Sequence, residues 1–318
     1  MSAGDIPETP AGAEPPPKIK GALTTERLRE IGERGQKSAR ERKRQNLLSD
    51  KQLTLWADAM RGAPNEIVRS ALFTAKNRKQ ARENLKRAVV AVIGDGQINY
   101  TGEELRQDDE TVWLQLIHLA RENGLATPFQ FTPYSFCKSI HWPLTGQSYD
   151  RLDKCMTRLQ ATSLKIVSQR LGDEISLSML PGFKAKRRKD GDGGLWEVRM
   201  HDELVFLFSE FQYTRVEWQQ RLALPEGLAT WLHAYYASSR EPYDVKIETL
   251  AVGAGLMMEA AADAQLDEAA RKERLREAKK QIVKALEALK ESGFLLDFEV
   301  SRKGLVKVRR VGDARPLY

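Results

Sequence analysis

Hydrophobic spacing that switches twice from a helical to a strand period marks this chain as an α+β protein. The clearer switch lies between Arg271 and Arg310. Leu275, Ala278, Ile282, Leu286 and Leu289 fall on one narrow helical face, while Lys272, Arg276, Lys280 and Lys284 recur every fourth residue on the other side. After Gly293 the period becomes that of strands, Phe294 to Val300 and Leu305 to Arg310, joined by the tight turn Ser301-Arg302-Lys303-Gly304. The second switch begins at Thr132 and Pro133, which open a short helix; Pro143 to Gly146 then turn the chain, and Ser148 caps a second helix. That helix turns Leu152, Cys155, Met156 and Leu159 inward and Arg151, Lys154 and Arg158 outward, and strand-like text follows at "LKIVSQ", "EISLSML" and "LWEVRM". Two helices joined by a tight turn, the second basic on its exposed side and followed by a hairpin, describe a helix-turn-helix with a wing. The expected architecture is therefore two tandem winged-helix domains, residues 64–211 and 212–318, behind a disordered N-terminal tail.

In chain order, residues 1–50 read as the tail. "MSAGDIPETPAGAEPPPK" is too rich in Pro, Gly and acid to pack, and the basic stretch from Leu23 to Asn46 has too few apolar residues for a stable free helix. It offers cations for loose phosphate contact or is a solvated tail. Residues 51–63 form a linker. "PNEIVRSALFTAKN" places Pro64 at a helix start with Ile67, Ala71 and Leu72 on one side, and a short strand follows at Ile98 to Tyr100. "RQDDETVWLQLIHLARENG" is a helix capped by Asp108, with acids in the first turn that suit the dipole, a buried face of Val112, Leu116 and Leu119, and a stop at Gly124. Helix capping accounts for that acid cluster more cheaply than a metal site does. In the first wing, "KAKRRKDGDGG" carries Lys186, Arg187 and Arg188 toward phosphate or a minor groove, with a solvated loop as the alternative. The second half repeats the order: a helix through "GLATWLHAYYASS", an extended piece at Tyr243 to Lys246, a short helix "IETLAVGAG", then the cationic helix and hairpin.

Composition supports a polyanionic partner. The 318 residues, 41% hydrophobic, can bury one or two ordinary cores. Lys+Arg 51 against Asp+Glu 44 gives a net charge of +7, and the bases cluster, which puts nucleic acid first. No apolar run is long enough to span a membrane and no N-terminal apolar core makes a signal peptide, so the expected location is the cytoplasm, with no membrane partner. Enzyme chemistry finds no residues to carry it. His118, His141, His201 and His233 stand apart, Cys137 and Cys155 have no ligand partners at metal spacing, and Gly94-Asp95-Gly96 and Gly191 to Gly194 lack the Lys-Ser/Thr of a phosphate loop. The expectation is a binding protein with no catalytic residue, metal or cofactor.

"APNEIVRSALFTAKN", "INYTGEELRQDDETVW", "RLQATSLKI", "FQYTRVEW" and "SSREPYDVKIETL" closely resemble the TrfA-type plasmid replication initiators of broad-host-range IncP-like plasmids, from about Leu53 to the C-terminus. The resemblance implies a bacterial protein that binds repeated sites (iterons) in double-stranded plasmid origin DNA, helps melt an adjacent A+T-rich stretch, and recruits the host initiator, replicative helicase and sliding clamp. Single-stranded origin DNA is a further candidate partner. It also implies monomers active on iterons and dimers that hold activity back, hence plasmid copy control. One departure is the insertion "MMEAAADAQLDEA", Met257 to Ala269, which lengthens the turn before the last helix.

On this reading Lys272, Arg276, Lys280 and Lys284 on the second recognition helix, Arg302 and Lys303 in its wing, and Arg151, Lys154 and Arg158 on the first helix meet DNA. Arg reads guanine bidentately while Lys supplies point charge, so Arg276 and Arg151 are the expected base readers. Gln52, Leu53, Leu55 and Trp56 in "KQLTLWAD" resemble the Gln-Leu-x-Leu-Phe peptides that dock on the sliding clamp; equally, the apolar members pack the linker onto the first domain. A transcriptional repressor without replisome contacts is the alternative function.

Overall fold

The computed structural model describes residues 56–94, 96–122, 124, 127–167, 174–186, 194–211, 213–257 and 268–311, with shorter stretches between 26 and 42. The chain divides into two units, residues 1–46 and 47–318. In the first, residues 29–35 are helical and exposed, where the sequence suggested disorder. An Arg29–Glu33 ion pair at 3.2 Å, one turn apart, supports that helix. Residues 26, 27, 38, 39 and 42 are helical as well, and the remainder of the expected tail, including residues 1–25, lies outside the described residues.

The second unit opens with β1 (Met60–Pro64) and a single helical turn, α1 (Asn65–Val68). The helix expected to run on through Ala71 stops here. Ser70 Oγ donates to the Ile67 carbonyl at 2.8 Å and accepts the Leu72 amide at 3.3 Å, while Ala71 N–H donates to Ala91 O at 2.9 Å. These bonds offer the backbone an alternative to helix. After β2 (Phe73–Thr74), the hairpin β3 (Asn84–Val90) and β4 (Gln97–Glu103), and β5 (Leu105–Arg106), the chain enters α2 (Gln107–Ala120). This helix starts one residue before the expected cap Asp108, with Arg106 at its N-cap, and ends before Gly124. Val112, Trp113, Leu114, Leu116, Ile117 and Ala120 are all fully buried, and Gln115 and His118 are buried with them, so α2 is a core helix covered on nearly every side.

β6 (Phe129–Phe131), α3 (Pro133–Ser139) and α4 (Gly146–Gln160) follow. Thr132 caps α3 by accepting the Ser135 amide at 3.1 Å. Thr145, not Ser148, occupies the N-cap of α4, and Ser148 is buried in its first turn. The expected inward face of Leu152, Cys155, Met156 and Leu159 is buried. The strands after α4 divide between two sheets rather than forming one wing. β7 (Ser163–Val167) and β8 (Glu174–Leu177) extend the β3–β4 hairpin in the order β3-β4-β7-β8, whereas β9 (Gly182–Lys186) and β10 (Leu195–Arg199) join β6 in the order β6-β10-β9.

A 3₁₀ run (Asp202–Phe211) leads to β11 (Tyr213–Glu217), α5 (Trp218–Ala223), α6 (Leu228–Ala237), β12 (Val245–Lys246), α7 (Ile247–Gly253), α8 (Glu268–Glu291), β13 (Leu295–Val300) and β14 (Leu305–Arg310). The last sheet has the order β12-β14-β13, so each half places its first short strand beside the final strand of its hairpin. The expected repeat of helix, short strand, two helices and hairpin is present in both. Residues 258–267 of the insertion lie outside the described residues.

Two clusters of buried side chains, one around α2 and α4 and one around α6, α7 and α8, form the interior. The two halves pack on each other through several direct contacts. β11 pairs antiparallel with β1, matching Met60 to Glu217 and Pro64 to Tyr213. Trp231 Nε1 donates to Ser70 O at 3.1 Å, Ala75 N–H to Ala254 O at 2.8 Å, and the buried Arg221 meets the buried Glu110 at 3.0 Å. Among the described residues no helix is long and apolar enough to cross a membrane.

Candidate nucleic-acid interface

One cationic surface comprises α8 and the turn of the hairpin that follows it. Ala278, Ile282, Ala285, Leu286 and Leu289 bury one side of the helix against α6 and α7, which fixes its rotation. Lys272, Arg276 and Lys280 then stand 76%, 67% and 58% exposed, as their four-residue spacing predicted. Each has an acidic neighbour on its own helix: Glu268 at 2.7 Å, Glu273 at 3.5 Å and Glu277 at 3.4 Å. Such exposed pairs within a helix contribute at most about 0.5 kcal/mol, so a phosphate or a base edge can displace the acids. Lys284 is exposed with no partner among the described residues, and so are Arg274 and Lys279, which the sequence reading did not select. Lys279 lies three residues after Arg276 and so shares its side, at a spacing outside the four-residue row.

The turn Ser301–Gly304 closes β13 and β14 with a Gly304 N–H bond to Ser301 O at 3.0 Å, and Gly304 takes a positive φ of 76°. Ile247 N–H donates to Gly304 O at 2.8 Å and ties the turn to the start of α7. Arg302 and Lys303 project from this anchored turn, exposed and unpaired among the described residues.

The first helix differs from expectation. Arg151 and Arg158 are not outward: their side chains are only 23% and 12% exposed. Arg151 stacks its guanidinium over the Trp142 ring at 3.9 Å and bonds Glu226 at 2.6 and 2.7 Å. Arg158 bonds Asp109 Oδ1 at 2.8 and 3.0 Å. Both are drawn in by the acidic start of α2, which also holds Arg82 through Asp108 at 3.0 Å and Asp109 at 2.7 Å. The first-turn acids are thus more than dipole complements. Burial alone would raise the Asp108 carboxyl, but Arg82, Arg151 and Arg158 outweigh it and hold the group below its ordinary value. The one cluster of metal-ligand type among the described residues, Asp108, Asp109 and Cys155, sits among these guanidinium groups, which repel a cation. Lys154 alone of the three expected cations on α4 is exposed.

In the first hairpin, Arg187 and Arg188 lie outside the described residues, as does the side chain of Lys186 at the end of β9. Gln52, Leu53 and Leu55 do too. Trp56 is a core residue: its ring stacks on Phe208 with centroids 5.8 Å apart and packs on Tyr213 at 5.7 Å, and Nε1 donates to His118 Nδ1 at 3.2 Å. Trp56 thus packs into the core, as one of its two readings expected.

The profile of the family described as "TrfA protein" matches residues 25–310. The "Plasmid replication initiator protein TrfA" of Escherichia coli is 35% identical over 250 residues, which cover 74% of this chain and 65% of that protein, just under two-thirds of its length. Among solved structures, domains 2 and 3 of RctB superpose with a TM-score of 0.51 at 13% identity, over 80% of this chain and 99% of that one, a likeness of fold alone. With the family profile spanning nearly the entire described chain, this protein belongs to the TrfA family.

Proposed function

We propose that this chain is a plasmid replication initiator whose two halves are winged helices that bind iterons in duplex origin DNA. The observation that carries the reading is the exposure of Arg276, Lys280 and Lys284 on α8 and of Arg302 and Lys303 in the anchored turn of the hairpin after it. A helix and a hairpin tip that both present exposed cations from a buried scaffold suit a major groove and its flanking phosphates. The matching strand orders β6-β10-β9 and β12-β14-β13 support the same fold in each half. The name of the Escherichia coli relative supports replication initiation as the purpose of binding.

In this reading the bound protein helps open the adjacent A+T-rich stretch and recruits the host initiator, the replicative helicase and the sliding clamp, and a monomer–dimer equilibrium sets copy number. It acts by binding, without catalysis or cofactor, in the bacterial cytoplasm. Docking on the clamp through Gln52 to Trp56 requires Trp56 to leave Phe208, Tyr213 and His118. The test is a transformation assay: a fragment of the parent plasmid's origin together with this gene should sustain a replicon in a host that supplies the replication machinery. Origin binding without replication, coupled to silencing of a neighbouring promoter, would instead make the chain a repressor.

A further inference from the structure

The segment Lys76–Arg87, "KNRKQARENLKR", holds six bases and one acid and lies outside both expected recognition helices. Two of the bases face inward. Lys76 bonds Glu104 at 2.7 Å and Glu83 at 3.3 Å; Arg82 bonds Asp108 and Asp109, with Glu103 at 3.8 Å. The other four, Arg78, Lys79, Lys86 and Arg87, are exposed and have no partner among the described residues. The acids of the neighbourhood are therefore already taken by other cations.

A solvated loop needs no support from below, yet this one is held. The buried Arg106 guanidinium donates to Asn77 O at 2.6 Å, Gln80 O at 2.9 Å and Ala81 O at 2.8 Å, and Glu104 fixes it from the other side at 2.7 Å. Asn77 Oδ1 accepts the Lys79 amide at 2.9 Å. The adjoining strand is interrupted where its cations stand. The β3–β4 register steps from Leu85 opposite Gly102 to Ala88 opposite Tyr100, so Lys86 and Arg87 form a bulge. Arg87 adopts φ 49°, a costly conformation for a non-glycine residue, held by its amide bond to Thr101 Oγ1 at 3.0 Å. The segment is also tied to α4, because Asp109 accepts from Arg82 through Oδ2 at 2.7 Å and from Arg158 through Oδ1 at 2.8 Å.

We propose that Arg78, Lys79, Lys86 and Arg87 form a sequence-independent phosphate-binding surface that grips the DNA backbone beside α4. The proposal rests on the reading of the chain as a DNA-binding initiator. It resolves an imbalance in the first half, where Arg151 and Arg158 are consumed by carboxylates and α4 keeps only Lys154 of its expected cations exposed. Preorganised cations on a turn and a strand bulge suit the regular charge of a duplex, and they read no bases.

The test compares wild type with the variant Arg78→Ala/Lys79→Ala/Lys86→Ala/Arg87→Ala on a duplex carrying the origin repeat and on a random duplex of equal length, each titrated with salt. The variant should keep its Tm and its preference for the repeat, lose affinity for both duplexes, and show a slope of log affinity against log salt shallower by about 3.6. In a second measurement, Lys86→Cys is coupled to an iron–EDTA chelate, which the buried Cys137 and Cys155 will not accept. Strand cleavage should fall in the part of the repeat that lies beside α4. An unchanged slope, or no cleavage while the labelled protein is bound, overturns the proposal. Wild type that binds neither duplex overturns the initiator reading first and this surface with it.

Discussion

Trp56 sits against Phe208 and Tyr213 with only 5% of its surface exposed, so replacing it with alanine leaves a cavity that the core cannot fill. Trp56→Ala should cost about 3–5 kcal/mol, read as a lower denaturant midpoint. An unchanged midpoint would mean that the ring is free to act elsewhere. Gly62 explains how β1 comes so near: a Cβ there would lie 2.6 Å from the indole. The histidines make a second prediction. Burial first, then Arg61 and Arg121, push His118 from 6.5 down to about 3; burial and Arg221 do the same to His233. Because the folded pKa values are depressed, the unfolded chain binds protons that the folded chain refuses between pH 6.5 and about 3. Stability should fall on acidification through that window by up to about 1.4 kcal/mol per pH unit for each histidine. Denaturant melts from pH 7 to 4 check this, and His233→Leu should make the dependence shallower.

On α8 and its turn, side-chain chemistry separates two roles. Arg276→Ala should lower affinity for the origin repeat by about 1–3 kcal/mol and relax preference at one base position. Equal loss on random DNA would reduce Arg276 to a phosphate contact. Lys303→Ala should weaken binding to both and make the salt slope shallower by about 1. On α4 the expectation reverses. Arg151 bridges Trp142, Asp108 and Glu226, so Arg151→Ala should lower Tm with little change in base preference. Altered preference at full stability would put the side chain on DNA after all.

Across the chain, β1 with β11 and the buried Arg221–Glu110 pair join the halves into one cooperative body. Arg221→Met strands Glu110 in the interior and should cost about 3–5 kcal/mol, with Glu110→Gln in the same chain recovering part of it. Thermal unfolding of residues 47–318 should be one transition; two separated transitions would restore independent domains. The fragment from Tyr213 to Tyr318 loses β1, Glu110 and Ser70 and is for that reason a poor test of what the second half binds.

The short strand and two helices of each half, the inward faces of α4 and α8, and the outward row from Lys272 to Lys284 were legible in the one-dimensional pattern. Those features follow from backbone periodicity, which acts over a turn or two of chain. β3 was hidden because its strand text is interrupted by the bulge at Lys86 and Arg87, and the strands after α4 could not be assigned to sheets because pairing is non-local. Which cations stay free was decided only in three dimensions. Arg158 lies 49 residues from Asp109 and Arg151 lies 75 from Glu226, and Trp56 finds His118 across 62. A spacing pattern says which way a side chain starts out from its own element; whether a charge then meets water, a carboxylate or DNA depends on what packing brings opposite it, and that partner leaves no local trace in the sequence.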